Sequence, residues 1–253
     1  MVFLRSAVSR FRFIERSLKS ASSEKARKLL FKAHAAASPR WERGEPLRYR
    51  AMELILIRHG LPLRIQREDG APADPPLSEI GQRQAVAVGA WLAQEKIDFV
   101  YASPLRRAHE TATPLAQTLG LKVEVEPRVA EYDQHSDAYV PVEELKVLDR
   151  AKWNELMEKG YPEGLDLEQF REGVVQSLTE IAARHSGQRI AIFCHGGVIN
   201  CWAADVLGLG FKLFFNPYYS SLNRFLVSSQ GVRSVGSLNE CAHLRDFDRE
   251  GPK

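Results

Sequence analysis

The sequence contains few cysteines and no long apolar run. Three cysteines occur among 253 residues, an odd number without the spacing of a metal or redox motif. This disfavours a disulfide-held secreted domain and indicates a reducing compartment. No apolar run approaches the roughly 18–20 residues that span a bilayer, and the first residues lack the apolar core and cleavage site of a secretory signal. We therefore expect a cytoplasmic protein without a transmembrane segment.

The sequence also lacks the patterns of a metal site and of a nucleic-acid-binding module. His109, His135, His185 and His243 each stand without a second ligand at metal-binding spacing on one predicted element. No recognition motif for nucleic acid accompanies the basic residues. We expect no metal, no other cofactor and no nucleic-acid partner, and the sequence leaves the oligomeric state open.

Positive charge is concentrated at the N-terminus. Residues 1–50 contain thirteen Lys or Arg and four Glu, a net charge of +9, whereas the other residues contain twenty-two basic and twenty-eight acidic residues, a net charge of −6. Apolar residues recur there at helical spacing, which predicts a basic helical N-terminal extension. We favour an extension that docks on the main domain or a partner. Peripheral contact with an anionic membrane surface and a mitochondrial presequence are the alternatives.

Two apolar runs end in histidine. Residues 54–57 are followed by Arg58-His59-Gly60, and residues 190–194 by His195-Gly196-Gly197. Short apolar runs of this kind are typical of buried β-strands, and the glycine after each histidine lets the chain turn sharply. Because the carboxyl ends of parallel strands border the ligand crevice of an open α/β sheet, we expect both imidazoles at one site.

A third segment is predicted to bring arginine to the same edge of the sheet. The strand-like run 99–101 is followed by Ser103 and Pro104, which predict the N-cap and first residue of a helix. Arg106-Arg107 then lies in the first helical turn. Since N–H groups at a helix N-terminus bind phosphate and other anions, the segment predicts an anion-binding pocket.

Strand and helix patterns alternate along residues 51–253 in the order of a parallel sheet covered on both faces. The predicted fold class is α/β, a three-layer α/β/α sandwich with a mostly parallel central sheet, in one domain after the extension 1–50. A longer, partly helical stretch at about residues 132–165 interrupts the alternation. Long connections of this kind often act as lids or specificity elements.

Four motifs together resemble the histidine phosphatase superfamily, its branch 1 or phosphoglycerate mutase-like group. In order, over about residues 52–240, they are Arg58-His59-Gly60, then Leu77-Ser78 with Gly81-Gln82 and Gln84-Ala85, then Ser103 to Ala112, and finally Cys194-His195-Gly196-Gly197. The resemblance implies a phosphoglycerate mutase-like fold. It also implies a phosphatase that forms a phosphohistidine on His59 without a metal.

The chemistry of a phosphate monoester agrees with this resemblance. The monoester carries about two negative charges near pH 7, which repel an anionic nucleophile but not a neutral imidazole. Charge on the three outer phosphoryl oxygens needs fixed donors, a role that suits Arg58, Arg107 and His195. Gly196 and Arg64 complete the predicted substrate-binding set.

The leaving alkoxide needs a proton donor. The resemblance indicates Glu131 as this catalytic acid, with Asp133 as the alternative. Two family features are absent here, since Val129 replaces the usual leucine and the usual Gly-x-Trp-Glu-Gly continuation does not follow. The same carboxyl group would afterwards activate the attacking water.

The segment after the predicted nucleophile departs from many relatives. It reads Leu61-Pro62-Leu63-Arg64-Ile65, without the asparagine that contacts phosphate in those relatives. Arg64, Gln66 or Arg67 replaces that contact, or the loop serves another substrate. This departure favours a hydrolase acting on a small phosphorylated substrate. A phosphoglycerate mutase-like phosphomutase and a non-catalytic phosphate-binding module are the alternatives.

Overall fold

The computed structural model describes residues 51–141, 144, 147–159, 166–210 and 213–245. The predicted N-terminal extension lies outside the described residues, as do parts of the predicted insertion, namely 142–143, 145–146 and 160–165. Among the described residues, no helix combines the length and the apolar character needed to cross a membrane.

The regular elements of the described residues alternate along the chain as predicted. The strands are β1 (Met52–Arg58), β2 (Ile65–Gln66), β3 (Phe99–Ala102), β4 (Val123–Val125), β5 (Ala138–Tyr139), β6 (Arg189–Cys194), β7 (Leu222–Val227) and β8 (Arg233–Glu240). The helices are α1 (Glu79–Leu92), α2 (Arg106–Leu119), α3 (Arg150–Lys159), α4 (Leu167–Arg184) and α5 (Gly196–Leu207), with short 3-10 turns at Pro127–Val129 and Ala242–Leu244.

The central sheet has the strand order β4-β3-β6-β1-β7-β8. Strands β4, β3, β6 and β1 are parallel, whereas β7 and β8 add an antiparallel edge beside β1. The short strands β2 and β5 form a separate antiparallel pair. The prediction of a mostly parallel central sheet is confirmed.

Helices cover both faces of this sheet. Successive side chains of a strand point to opposite faces, and Ile55 of β1 belongs to the same buried cluster as Leu92 of α1. Its neighbour Leu56 belongs to the cluster on the other face, with Leu178 of α4 and Trp202 of α5. A strand buried on both faces is apolar throughout, and full burial of each large apolar side chain contributes about 1.5–3 kcal/mol. The predicted three-layer α/β/α sandwich is confirmed.

The chain after β1 lies directly against the first turn of α1. Ser78 is the N-cap of α1, where its hydroxyl accepts from the N–H of Gly81 at 3.1 Å and donates to the carbonyl of Leu61 at 2.9 Å. A Cβ atom on Gly81 would lie 2.1 Å from the Leu61 carbonyl oxygen, and one on Gly60 would lie 2.6 Å from the Gly81 carbonyl oxygen. Glycine at both positions permits this close backbone approach.

Helix α2 begins later than the sequence predicted. Its N-cap residue is Leu105, whose side chain makes no capping hydrogen bond, and Asp74 Oδ1 accepts from the N–H of Arg106 at 2.8 Å. The prediction of Ser103 as N-cap and Pro104 as first helical residue is wrong by two residues. The Ser103 hydroxyl instead accepts from the N–H of Leu105 at 3.2 Å, a turn that precedes the helix, and also contacts a histidine of the site described below.

The described part of the predicted insertion contains β5 and α3. Strand β5 pairs Tyr139 with Ile65 of β2, and the N–H of Arg67 donates to the Asp137 carbonyl at 2.9 Å. These contacts join the insertion to the loop that follows β1. They place Tyr139 near the carboxyl ends of the parallel strands.

Candidate active site

Strands β1 and β6 deliver two histidines side by side. Arg58, the last residue of β1, is in register with Cys194, the last residue of β6. The N–H of His59 donates to the Cys194 carbonyl at 2.9 Å. The ring centroids of His59 and His195 are 5.1 Å apart, so the structure brings both imidazoles together at one place.

The surroundings of His59 define which of its ring nitrogens carries the hydrogen. Its Nδ1 atom lies 2.8 Å from the Gly60 carbonyl oxygen. A carbonyl oxygen only accepts hydrogen bonds, so Nδ1 carries the hydrogen and Nε2 keeps a lone pair. Burial, together with the charges of Arg107 and Arg58, holds the pKa of His59 well below its ordinary value. The ring is therefore neutral near pH 7, as a nucleophile requires.

His195 is completely buried. Its Nε2 atom lies 2.8 Å from the Ser103 hydroxyl, while its Nδ1 atom has no hydrogen-bond partner among the described residues. Burial, and then the charge of Arg107, hold the pKa of His195 well below its ordinary value. Because buried polar atoms normally have partners, Nδ1 is a group suited to contact a ligand.

Arg58 precedes His59, and its guanidinium lies on an aromatic ring. The side chain is 5% exposed, its Cζ atom lies 3.8 Å from the ring centroid of Tyr219, and Nη1 donates to the Pro217 carbonyl at 2.6 Å. The Tyr219 ring is also 5.6 Å from that of His59. Stacking and hydrogen bonding together fix the orientation of this cation.

Arg107, like Arg58, is held by a hydrogen bond and by contact with an aromatic ring. Its side chain is 1% exposed, and its Nη2 atom donates to Asp133 Oδ1 at 2.9 Å. Its Cζ atom lies 4.6 Å from the ring centroid of Tyr139, which is 6.4 Å from the His59 ring. Two buried guanidiniums near one imidazole make an electropositive site, and guanidinium forks match phosphate oxygens geometrically.

Glu131 lies at the N-terminus of α5. One carboxylate oxygen accepts from the N–H of Gly197 at 2.8 Å and the other from the N–H of Tyr132 at 3.2 Å. Burial first, and then the charge of Asp133, raise the pKa of Glu131 to about 7. This carboxyl group therefore retains a proton at a pH at which an exposed glutamate is ionised.

Two buried polar side chains hold the backbone that follows His59. The Thr111 hydroxyl accepts from the N–H of Gly60 at 2.9 Å and donates to the Arg107 carbonyl at 2.7 Å. Gln84 Oε1 accepts from the N–H of Leu61 at 2.9 Å. Thr111 and Gln84 belong to the motifs found in the sequence, but sequence reasoning gave neither a role.

Sequence reasoning also missed the contacts of Ser103, Tyr139 and Tyr219. Ser103 had a local signal, although it was interpreted as a helix cap. The two tyrosines had no recognisable pattern, because their partners lie on other segments of the chain.

The predicted binding residues Gly196 and Arg64 have different positions. Gly196 is the first residue of α5, directly after His195. Arg64 is exposed on the loop after β1. The structure shows no contact between it and the described buried side chains around His59 and His195. Arg67 forms an exposed ion pair with Asp69. The described residues contain no group of three or more His, Cys, Asp or Glu side chains that could hold a metal ion.

The fold and the site together define a class of protein. The α/β sandwich brings together two neutral imidazoles, two buried guanidiniums and a proton-bearing carboxyl group at the carboxyl edge of its sheet. This arrangement is suited to binding a phosphate group and transferring it. The family model of the histidine phosphatase superfamily (branch 1) matches residues 54–239. The chain therefore belongs to this superfamily.

The curated relatives include a phosphatase and probable mutases. Phosphoserine phosphatase 1 of Hydrogenobacter thermophilus is 29% identical over 209 residues, which are 80% of this chain and 99% of that protein. A probable phosphoglycerate mutase of Yersinia enterocolitica is 27% identical over 164 residues, 62% of this chain and 76% of that protein.

Solved structures share the fold. The mycobacterial glucosyl-3-phosphoglycerate phosphatase in complex with VO3 has a TM-score of 0.60 at 21% identity, covering 75% of this chain and 99% of that one. Phosphoserine phosphatase from Entamoeba histolytica, in complex with 3-phosphoglyceric acid, has a TM-score of 0.59 at 23% identity, covering 76% and 99%.

Proposed function

We propose that the protein is a metal-independent phosphomonoester hydrolase that acts through a phosphohistidine on His59. The observation that carries this proposal is the 5.1 Å separation of the His59 and His195 rings, on both of which the charges of the buried Arg58 and Arg107 act. Such a pocket fits one phosphoryl group, with a nucleophile on one side and hydrogen-bond donors around its outer oxygens.

In the first step, the Nε2 lone pair of His59 attacks phosphorus while the bond to the ester oxygen breaks. Glu131 gives its proton to the departing oxygen, which leaves as an alcohol. In the second step, water attacks phosphorus, its proton passes to Glu131 and the N–P bond breaks. Inorganic phosphate leaves, and both residues return to their starting states.

Arg58, Arg107 and His195 stabilise the charge of the transferring group. Guanidinium forks bind phosphoryl oxygens in pairs, and the N–H of Gly196 at the α5 N-terminus adds a backbone donor. The unpartnered Nδ1 of His195 supports a contact between this ring and a phosphoryl oxygen. These donors lie in a buried site, where charge stabilisation is stronger than in water.

Glu131 suits the role of acid better than Asp133. Its pKa of about 7 leaves a proton available, whereas Asp133 is paired with Arg107 at 2.9 Å. A carboxylate that neutralises a guanidinium gives up that ion pair when it is protonated.

The substrate is proposed to be a small phosphorylated compound, in keeping with the phosphoserine phosphatase among the relatives. A lid role for residues 132–165 is supported by Tyr139, which lies beside both His59 and Arg107. The exposed Arg64 stays a candidate for the leaving-group side. The cytoplasmic location and the role of residues 1–50 stay predictions.

Detection of a phosphoryl adduct on the protein tests this function. Brief reaction with a radiolabelled phosphomonoester and acid-free quenching should leave an acid-labile adduct on the wild type and on His109→Ala, whose histidine is exposed, but not on His59→Ala. Turnover should persist in chelator and be inhibited by vanadate. An adduct that survives in His59→Ala, or activity abolished by chelator, would contradict the proposal. Isomerisation of a phosphoglycerate without release of phosphate would favour the mutase.

A further inference from the structure

Two acidic residues of one segment have different partners in the structure. Asp133 accepts from Arg107 Nη2 at 2.9 Å. Glu131, two residues earlier, accepts from the backbone N–H groups of Gly197 and Tyr132. Within the described part of the chain, Glu131 forms no ion pair. The carboxyl group of Asp133 is therefore paired with a guanidinium, whereas that of Glu131 is held by backbone N–H groups.

The pairing affects the electrostatics around both groups. The negative charge of a carboxylate opposes ionisation of a second carboxyl group nearby. Glu131 follows this rule, because the charge of Asp133 is the second cause, after burial, that raises the pKa of Glu131. Neighbouring carboxyl groups with different environments are a common arrangement for dividing acid and base roles.

The contact also restrains Arg107. The Tyr139 ring lies 4.6 Å from its Cζ atom, and Asp133 takes a hydrogen bond from one terminal nitrogen. The Nε atom has no hydrogen-bond partner among the described residues. A stacked ring and one carboxylate thus fix the guanidinium plane and leave other N–H groups for a phosphoryl group.

We propose that Asp133 is a positioning residue that orients Arg107 at the phosphate pocket and, through its negative charge, keeps the leaving-group proton on Glu131. This inference rests on the proposed function, because it gives Asp133 a role in the same reaction. Asp133 itself neither donates nor accepts a proton in either step.

Several titratable or charged groups act on Glu131 or are affected by its charge. They come from its own segment and from α2, β6 and α5, and are Tyr132, Asp133, Arg107, Cys194 and Cys201. Burial and the charge of Glu131 raise the pKa of both thiols, and that of Tyr132 lies well above its ordinary value, chiefly through burial. The charges of Asp133 and Arg107 act on the pKa of Glu131 in opposite directions, Asp133 raising it and Arg107 lowering it.

The decisive experiment follows the titration of Glu131 without requiring turnover. The full chain, with glutamate side-chain carboxyls labelled with ¹³C, is titrated by NMR, and the Glu131 signal is assigned from its loss in Glu131→Gln. Asp133→Asn keeps the shape and an acceptor oxygen but removes the charge. Asp137→Asn removes the same charge from an exposed position of the same segment and is the matched control.

We expect the Glu131 midpoint to fall by about 0.5–1 pH unit in Asp133→Asn, the direction set by removal of a like charge. Asp137→Asn should leave the midpoint unchanged. An unaltered or raised midpoint in Asp133→Asn would overturn the inference. If that variant does not fold, Asp133→Ser also removes the charge. A Glu131 midpoint that does not fall in Asp133→Ser would then overturn the inference.

The rate profile supplies the second measurement. With an alkyl phosphate, the high-pH limb of kcat/KM should move to lower pH in Asp133→Asn and return in Asp133→Glu. A limb that does not move would overturn the inference even if kcat falls, since a merely structural residue would lower the rate at every pH. A hydrolase with an unshifted Glu131 refutes this inference alone, whereas a protein that never hydrolyses a phosphomonoester refutes the proposed function.

Discussion

The N–H of Gly197 donates to a carboxylate oxygen of Glu131 at 2.8 Å, and a Cβ atom on Gly197 would lie 2.3 Å from the other carboxylate oxygen. Glycine at this position therefore lets the carboxyl group reach the first turn of α5. The contact connects the residue just before the predicted insertion to the helix that follows His195, and it fixes the proposed acid at the site.

Gly197→Ala should displace Glu131 and remove its proton from the leaving group. We expect kcat/KM for an alkyl phosphate to fall about 10²-fold or more, the scale of general acid catalysis. An aryl phosphate with a weakly basic leaving group should lose much less, because its leaving group departs without a proton. Steady-state kinetics with both esters provide the measurement, and equal losses would argue against the acid role.

The contact between Gly81 and Leu61 predicts a loss of stability. In Gly81→Ala the new Cβ meets the Leu61 carbonyl at 2.1 Å, and both groups belong to backbone that a side-chain rotation does not relieve. Overpacking of this kind costs about 1–3 kcal/mol. Urea unfolding measures the change in free energy.

Gly173→Ala is the matched control for that substitution. Its Cβ would meet nothing within 4 Å, and alanine within α4 should stabilise the helix by about 0.5–1 kcal/mol. Equal unfolding midpoints for the two variants would show that the chain after β1 relaxes around the added methyl group.

Thr111→Val tests the hydrogen bond to the N–H of Gly60, directly after the proposed nucleophile. Valine keeps the shape but leaves the buried N–H of Gly60 without its acceptor, which costs about 1–3 kcal/mol. Thr113→Val is the control, since its hydroxyl donates to the His109 carbonyl at 2.9 Å from a partly exposed position. We expect that variant to lie within about 0.5 kcal/mol of wild type. Thermal or urea unfolding of both would reveal any departure from this order.

The pH dependence of turnover follows from two shifted groups. Glu131 donates a proton only while protonated, so its pKa of about 7 predicts that kcat/KM for alkyl phosphates falls above about pH 7. His59 attacks only while unprotonated, and because its pKa lies well below 6.5, the acid-side loss should begin well below pH 6.5. Initial rates measured from about pH 4 to about pH 9 would show the loss of activity at low pH and the loss at high pH. An alkyl-ester rate that stays level well above neutrality would exclude Glu131 as the acid.

Local sequence patterns predicted the sheet and the ends of its strands. The runs 54–57 and 190–194 are apolar because β1 and β6 are buried on both faces. The histidines after them lie at the carboxyl edge because parallel strands end together. The glycine after each histidine was predicted to let the chain turn, whereas the close approach of Gly81 to Leu61 is seen only in the structure.

Tertiary structure alone decided how the polar groups are paired. Asp133 was an alternative acid in the sequence, and only folding shows its ion pair with Arg107. Ser103 was assigned to a helix cap, yet its hydroxyl meets His195, 92 residues further along the chain. The strands were predictable because burial leaves a periodic, local pattern. The hydrogen-bond partners were not, because they depend on which distant segments pack together and leave no spacing in the sequence.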